Sequence, residues 1–275
     1  MKIMLMTDME ASAGILNHDD WVMRTGQFYE KGTRLLTEEV NAAINGFMSA
    51  SCDLVVVIDG HGQGGIDPEL LHGSAELIRG APDVVWPFCM DDSFDAVACV
   101  GQHAKAGTPY SHITHTQWFN YVDLVVNGVS IGEYGQFALC AKELGVPHIF
   151  ASGECALQAE IDLITPGAVS VPVKWGLKND GAELETLTTD QYRTAKLSAR
   201  HLSPRKARQD IYEGAKTAVE RLRSDPGNFS YVELAAPYHC THRFREMGDR
   251  SAYETETRHD SSFIGLMNEP IPGHG

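Results

Sequence analysis

The sequence predicts a mostly parallel α/β fold, with helices on both faces of a central sheet and a smaller C-terminal α+β portion. Two observations carry this reading. Ile3–Met6, Leu54–Ile58 and Ala96–Val100 are short, unbroken apolar runs, the pattern of strands covered on both faces. A long helical stripe separates the first two, and strand–helix–strand reads as a right-handed parallel unit. The carboxyl ends of such strands emerge at one edge of the sheet, where open α/β sheets bind ligands.

The elements follow in order. The first strand ends in Asp8 and Glu10, which point to one side of an extended chain. Within roughly 7 Å of each other, two carboxylates repel unless a proton or cation lies between them. Gly14 to Gly26, with His18 and Trp21, reads as an irregular loop. A helix is expected from about Tyr29 to Ala50, with Leu35, Leu36, Val40, Ala43, Ile44 and Phe47 at helical spacing. The second strand ends in Asp59-Gly60-His61, where glycines let the backbone turn sharply beside the imidazole. The third ends in Gly101-Gln102-His103, and the stretch from His103 to His115 carries three histidines and Lys105 in a loop broken by Gly107 and Pro109. Asp123 to Gly128 reads as a hairpin turning on Asn127-Gly128. Gly132-Glu133 opens a helix running from Phe137 to Leu144, where the dipole favours an acid in the first turn. Val146 to Ala151 and Ala168 to Lys174 are expected strands, with a helix between them ending near Ile164. Ser203-Pro204 caps a helix to about Arg223, with Ala207, Ile211, Ala215 and Val219 on one face. A strand at Tyr231 to Ala235 and a polar tail with His239, His242 and His259 complete the chain.

Composition narrows the function. The 275 residues are 43% hydrophobic, enough for a substantial core. Acidic residues outnumber Lys plus Arg by 37 to 22, the wrong sign for a nucleic-acid partner. No leader pattern opens the chain, and no run approaches the ~20 apolar residues of a membrane span. Six scattered cysteines without CxxC spacing read as reduced core residues dispensable for catalysis, so a cytoplasmic location is expected.

Asp8, Glu10, His61, His103 and Glu133 each stand at a strand end or a helix start. Mixed carboxylate and imidazole sets suit zinc, with manganese, cobalt or iron as competitors. Five such residues exceed what one catalytic zinc needs, and a carboxylate shared between two ions accounts for the surplus. Asp8, with the short side chain at the strand end, is the expected bridge. His115 lies outside this set and is the residue best placed in the sequence for proton transfer.

Asp8-Met9-Glu10, Asp59-Gly60-His61, the segment Gly101 to Pro109 (GQHAKAGTP) and Gly132-Glu133-Tyr134-Gly135 resemble, in order and near-matching spacing, the motifs of the zinc-dependent D-aminopeptidase family known from the dipeptide-transport operon of bacilli. The resemblance runs from residue 1 to roughly 225. It implies a two-zinc centre ligated by Asp8, Glu10, His61, His103 and Glu133, and a catalytic histidine, nucleophile or acid/base, at His115. It also implies a decamer of two stacked pentameric rings enclosing the active sites. This chain departs from the family at three places: Ala11 replaces a glycine, and the His103–His115 interval is one residue longer, which makes His112 a rival. The third is Gly153-Glu154-Cys155 in place of Gly-Asp-Asp, which is expected on the substrate side.

The expected function is therefore a metal-dependent hydrolase acting on an amide bond of a small substrate. Most simply it is an aminopeptidase on short peptides, including those with an N-terminal D-residue; the alternative is an amidase of a specialised pathway. A two-metal phosphoesterase would want basic residues near the motifs, where only Lys105 stands, and a non-catalytic scaffold would not need five ligands and an extra histidine. Residues 1–200 are expected to form the metal-binding catalytic domain, and 201–275 a C-terminal helix and strand portion serving as a sub-domain or oligomer contact.

Overall fold

A computed structural model describes residues 1–80 and 84–274. Along β1 (Lys2–Thr7), Ile3 and Leu5 enter one apolar core while Met4 and Met6 enter another, so the strand is covered on both sides. The N-terminal loop contains a short helix, α1 (His18–Trp21), which the expected irregular loop omitted; Asn17 caps it by accepting the amide of Asp20 at 2.7 Å. The long helix α2 (Tyr29–Ser49) buries the expected stripe, and β2 (Leu54–Asp59), β3 (Ala75–Ile78) and β4 (Ala96–Gln102) follow. The hairpin of β5 (Tyr121–Val126) and β6 (Val129–Ser130) turns at Asn127 and Gly128. Then come α3 (Glu133–Glu143), β7 (His148–Glu154), α4 (Gln158–Ile164), β8 (Val169–Gly176), α5 (Thr189–Ala195) and β9 (Ala199–His201). The chain closes with α6 (Pro204–Ser224), β10 (Tyr238–Phe244), β11 (Tyr253–His259) and α7 (Phe263–Met267).

The main sheet has the order β3-β2-β1-β4-β7-β8-β9, parallel throughout except for the antiparallel edge strand β9. Helices α2 and α6 share the core on the Ile3 face, and α3 and α4 share that on the Met4 face. The two long helices touch backbone to backbone at Gly46, where a Cβ would stand 2.4 Å from the carbonyl of Tyr212. The helix placed by sequence in the C-terminal portion therefore lies against α2 and the main sheet.

A second, antiparallel sheet has the order β11-β10-β5-β6. Here the sequence reading of the tail needs correction: Tyr231 to Ala235 is not a strand, and the polar tail supplies two strands and α7. In β10 the buried Cys240, His242 and Phe244 alternate with more exposed residues, a half-buried pattern that sums to a polar segment. The 231–235 segment spends its polar groups elsewhere, with Val232 N–H on the Ile164 carbonyl and Lys142 on the carbonyls of Val232 and Leu234. Among the described residues no helix is long and apolar enough to cross a membrane.

Candidate metal centre

Strand β1 has its sequence neighbour β2 on one side and β4 on the other, so the connections diverge between β1 and β4 and open a crevice at their carboxyl ends. Asp8 and Glu10 leave β1 into this crevice, His61 follows β2, His103 follows β4, and Glu133 begins α3. The strand ends can close in only because residue 101 is glycine: its φ is +77°, and a Cβ would lie 1.9 Å from the carbonyl of Asp8.

All five expected ligands meet here. Asp8 Oδ1 is 3.3 Å from His61 Nδ1, and Asp8 Oδ2 is 3.1 Å from His103 Nε2, so the two oxygens face different imidazoles. Glu10 Oε2 lies 3.4 Å from His61 Nδ1, and Glu133 Oε1 lies 3.7 Å from His103 Nε2. Donor atoms of Asp8, Glu10 and His103 fall within 4.8 Å of one another, as do those of His103, His115 and Glu133. His103 spends Nδ1 on the carbonyl of Ala104 at 2.9 Å, which leaves Nε2 turned to the acids. Glu10 Oε2 and His103 Nε2 are buried yet have no hydrogen-bond partner. Such orphaned donors and acceptors facing one another are what a coordinated cation would satisfy.

The electrostatics follow from this crowding. Burial pushes the Asp8 carboxyl up, but the charge of His103 and the close approach of the His103 and His61 rings reverse that and hold it well below the usual range. Burial opposes protonation of His61 and His103, yet Glu10 beside the first, and Glu133 and Asp8 beside the second, hold both well above an ordinary imidazole. For Glu133 burial prevails, and its carboxyl rises to about 7.

His115 is stacked between the rings of His103 (4.1 Å) and Phe119 (4.4 Å). Its Nδ1 meets the Ile113 carbonyl at 3.0 Å, and its Nε2 is 3.9 Å from Glu133. Burial, then the nearby charge of His103, holds it well below an ordinary imidazole, so it is neutral. His112 sits elsewhere. Its backbone N–H is bound by Glu154 at 2.8 Å, its ring stands edge-on to His201, and burial with the nearby Lys174 charge lowers it to about 2. The two rings diverge where the backbone turns at Ile113, whose φ of +58° is a left-handed conformation rare for a β-branched residue.

Sequence reasoning missed the residues that hold these loops. Glu154, expected on the substrate side, is buried outside the cavity and accepts the amides of Ala104 (2.6 Å) and His112. Glu160 accepts those of Gly132 (2.6 Å) and Gly135 (3.2 Å). Lys174, fully buried on β8, donates to the carbonyls of Glu10 and Ile15. A lysine inside an apolar strand pattern was the one signal available for it. Gln102 donates to Asp8 Oδ2 at 3.3 Å, and His18 lines the cavity.

Comparison with known proteins agrees with this architecture. The sequence profile of a family described as D-aminopeptidase matches residues 1–258. The D-aminopeptidase of Bacillus subtilis (strain 168) is 32% identical over 179 residues, which span 63% of this chain and 64% of that protein. The solved Zn-dependent D-aminopeptidase DppA from Bacillus subtilis, described as a self-compartmentalizing protease, superposes with a TM-score of 0.81. At 21% identity the match covers 97% of this chain and 95% of that one.

Proposed function

The chain belongs to the D-aminopeptidase family, and from that premise we propose that it is a metal-dependent hydrolase removing the N-terminal residue of short peptides, D-residues included. The observation that carries this reading is the meeting of three carboxylates and two imidazoles at the sheet's crevice, with Glu10 Oε2 and His103 Nε2 buried and unpartnered. This donor set fits zinc, with manganese or cobalt as substitutes. Asp8, Glu10, His61, His103 and Glu133 would hold two ions per chain. Asp8 would be the carboxylate shared between them, since its two oxygens already address different histidines. When bound, such ions polarise the scissile carbonyl and acidify water.

The protein's own part is orientation and proton transfer. His115 is fixed through Nδ1, is neutral, and presents Nε2 beside Glu133, so it can take a proton at that nitrogen and return it to the leaving amine. Six cysteines without a disulfide among the described residues fit a reducing cytoplasm. By analogy with the self-compartmentalizing relative, the chain assembles as a homo-oligomer that encloses its sites, and the motif resemblance implies two stacked pentameric rings.

Elemental analysis and dipeptide assays test the proposal together. We expect about two zinc ions per chain and hydrolysis of short peptides, with Asp8→Ala losing both ions and activity. One ion that persists in Glu133→Ala would overturn the two-ion arrangement, and failure to cleave dipeptides of either hand would overturn the activity.

A further inference from the structure

One wall of the cavity above the cluster is apolar, and it is held from the far end of the chain. The cavity, of about 250 Å³, is lined by the acids and histidines together with Met23, Trp86, Phe88 and Trp118. The rings of Trp86 and Phe88 meet at 4.7 Å, tilted by 59°. Trp86 lies in a turn between β3 and β4, with no backbone ladder of its own, yet it is only 5% exposed and belongs to the core on the Met4 face.

Asn268 supplies what that turn lacks. Its side-chain amide grips the backbone of Trp86 from both ends, Nδ2 donating to the Trp86 carbonyl at 2.9 Å and Oδ1 accepting the Trp86 N–H at 3.1 Å. The second Nδ2 hydrogen is spent on the carbonyl of Ile264 at 2.9 Å, so the amide is fully engaged and its orientation set. Asn268 ends α7, whose start is bound to Glu143 of α3: that carboxylate accepts from Ser262 Oγ at 2.7 Å and from the amides of Phe263 and Ile264. Helix α3 begins with Glu133. The aromatic wall and one end of the acid–histidine cluster are thus mounted on a single frame, α3–α7–Asn268–Trp86.

A cavity with a polar, ionisable floor and a rigid aromatic wall recognises a ligand whose reacting group and apolar side chain lie a fixed distance apart. Its volume is just under the roughly 300–1,000 Å³ of ordinary ligand pockets, which suits a substrate of dipeptide size. We propose that Trp86 determines specificity by selecting short peptides with a bulky apolar side chain beside the scissile amide, and that Asn268 is the positioning residue that holds it. This rests on the hydrolytic reading above.

The test measures kcat and KM of the zinc-loaded protein for phenylalanyl-alanine and alanyl-alanine, in L and D forms. Calorimetric binding of phenylalanine and glycine hydroxamates gives a readout independent of turnover. The native protein should prefer the aromatic ligand in both. Trp86→Ala should reduce that preference at least about tenfold, mainly through KM, with zinc content unchanged. Trp86→Phe, a gentler change, should keep most of it. Asn268→Ala should shift the preference in the same direction by less, and should add nothing in a Trp86→Ala background, since it acts through the ring. Equal affinity for both hydroxamates, or a preference that survives Trp86→Ala, overturns the role of Trp86. A further change on adding Asn268→Ala to Trp86→Ala overturns that of Asn268. If no peptide is cleaved while hydroxamate binding still discriminates through Trp86, the hydrolytic reading falls and the specificity assignment stands.

Discussion

Two groups of buried carboxylates serve the same sheet edge in opposite ways. In the cavity, Asp8 and Glu10 face imidazoles, at 3.1 to 3.4 Å. Set back from it, Glu154 binds the amides of Ala104 and His112, Glu160 those of Gly132 and Gly135, and Glu39 that of Ala13 at 2.9 Å. Those amides belong to the loops that carry His103, His115, Glu133 and Glu10. A carboxylate bound by backbone N–H groups is a fastener, even where its second oxygen is left without a partner as in Glu39 and Glu160, whereas one set among ionisable side chains is ready to exchange a proton for a cation. Burial of an acid does not by itself mark chemistry; the identity of its partners does.

The largest expected effect lies between the two groups, where neighbouring histidines go to different sides. His115→Ala should lower turnover by about 10²–10⁴-fold with zinc content intact, the usual loss for a positioned acid/base. His112→Ala, buried against His201 and away from the cavity, should retain activity within about tenfold. Loss of zinc in His115→Ala would make it a ligand, which its closeness to His103 and Glu133 also permits. A dead His112→Ala beside an active His115→Ala would reverse the assignment.

Next in size is a fastener. Glu154→Gln keeps one acceptor but turns an amide NH₂ toward the N–H of Ala104 or His112. The His103 loop should loosen, and zinc affinity, measured by competition with a chelator, should fall about 10–100-fold, as for other supporting residues around metals. Unchanged affinity would mean that this loop holds itself.

The smallest effect concerns stability. Burial raises the Glu39 carboxyl to about 7 from an ordinary 4.5. The folded chain thus keeps this proton to higher pH than the unfolded chain, so stability falls as pH rises from about 4.5 to 7. Above that window the full penalty, on the order of 3 kcal/mol, is present. Glu39→Gln should flatten that slope and raise the denaturant midpoint at pH 8. A slope of the same size in the variant would place its origin in other groups.

The sequence made the cavity side of this comparison legible and left the fasteners hidden. Asp8, Glu10, His61, His103 and Glu133 could be grouped because each stands where an apolar run or helix begins or ends, and a parallel sheet gathers such ends at one edge. β1, β2 and β4 were visible as unbroken runs for the same reason: both faces are buried. β3 and β9 are short edge strands with partly exposed residues, and β10 is half polar, so their composition resembles that of loops. Glu154, Lys174 and Asn268 act on backbone groups far away in sequence, and no local pattern encodes which carbonyl or amide a side chain will meet.

The place of β1 in the middle of the sheet also sets an order in time. Its hydrogen bonds run to β2 on one side and β4 on the other, so a nascent chain that has released only β1 and α2 carries Asp8 and Glu10 with no geometry to hold them. The imidazoles arrive with residues 61 and 103, the third acid with Glu133, and the grip of Lys174 on the Glu10 carbonyl later still. Contacts that close long loops reward the chain only after their entropy has been spent, so a site gathered from residues 8 to 133 depends on the whole sheet around it and on no local segment. Asn268, 182 residues beyond Trp86, is released last of these, so the turn that carries Trp86 waits longest for its support.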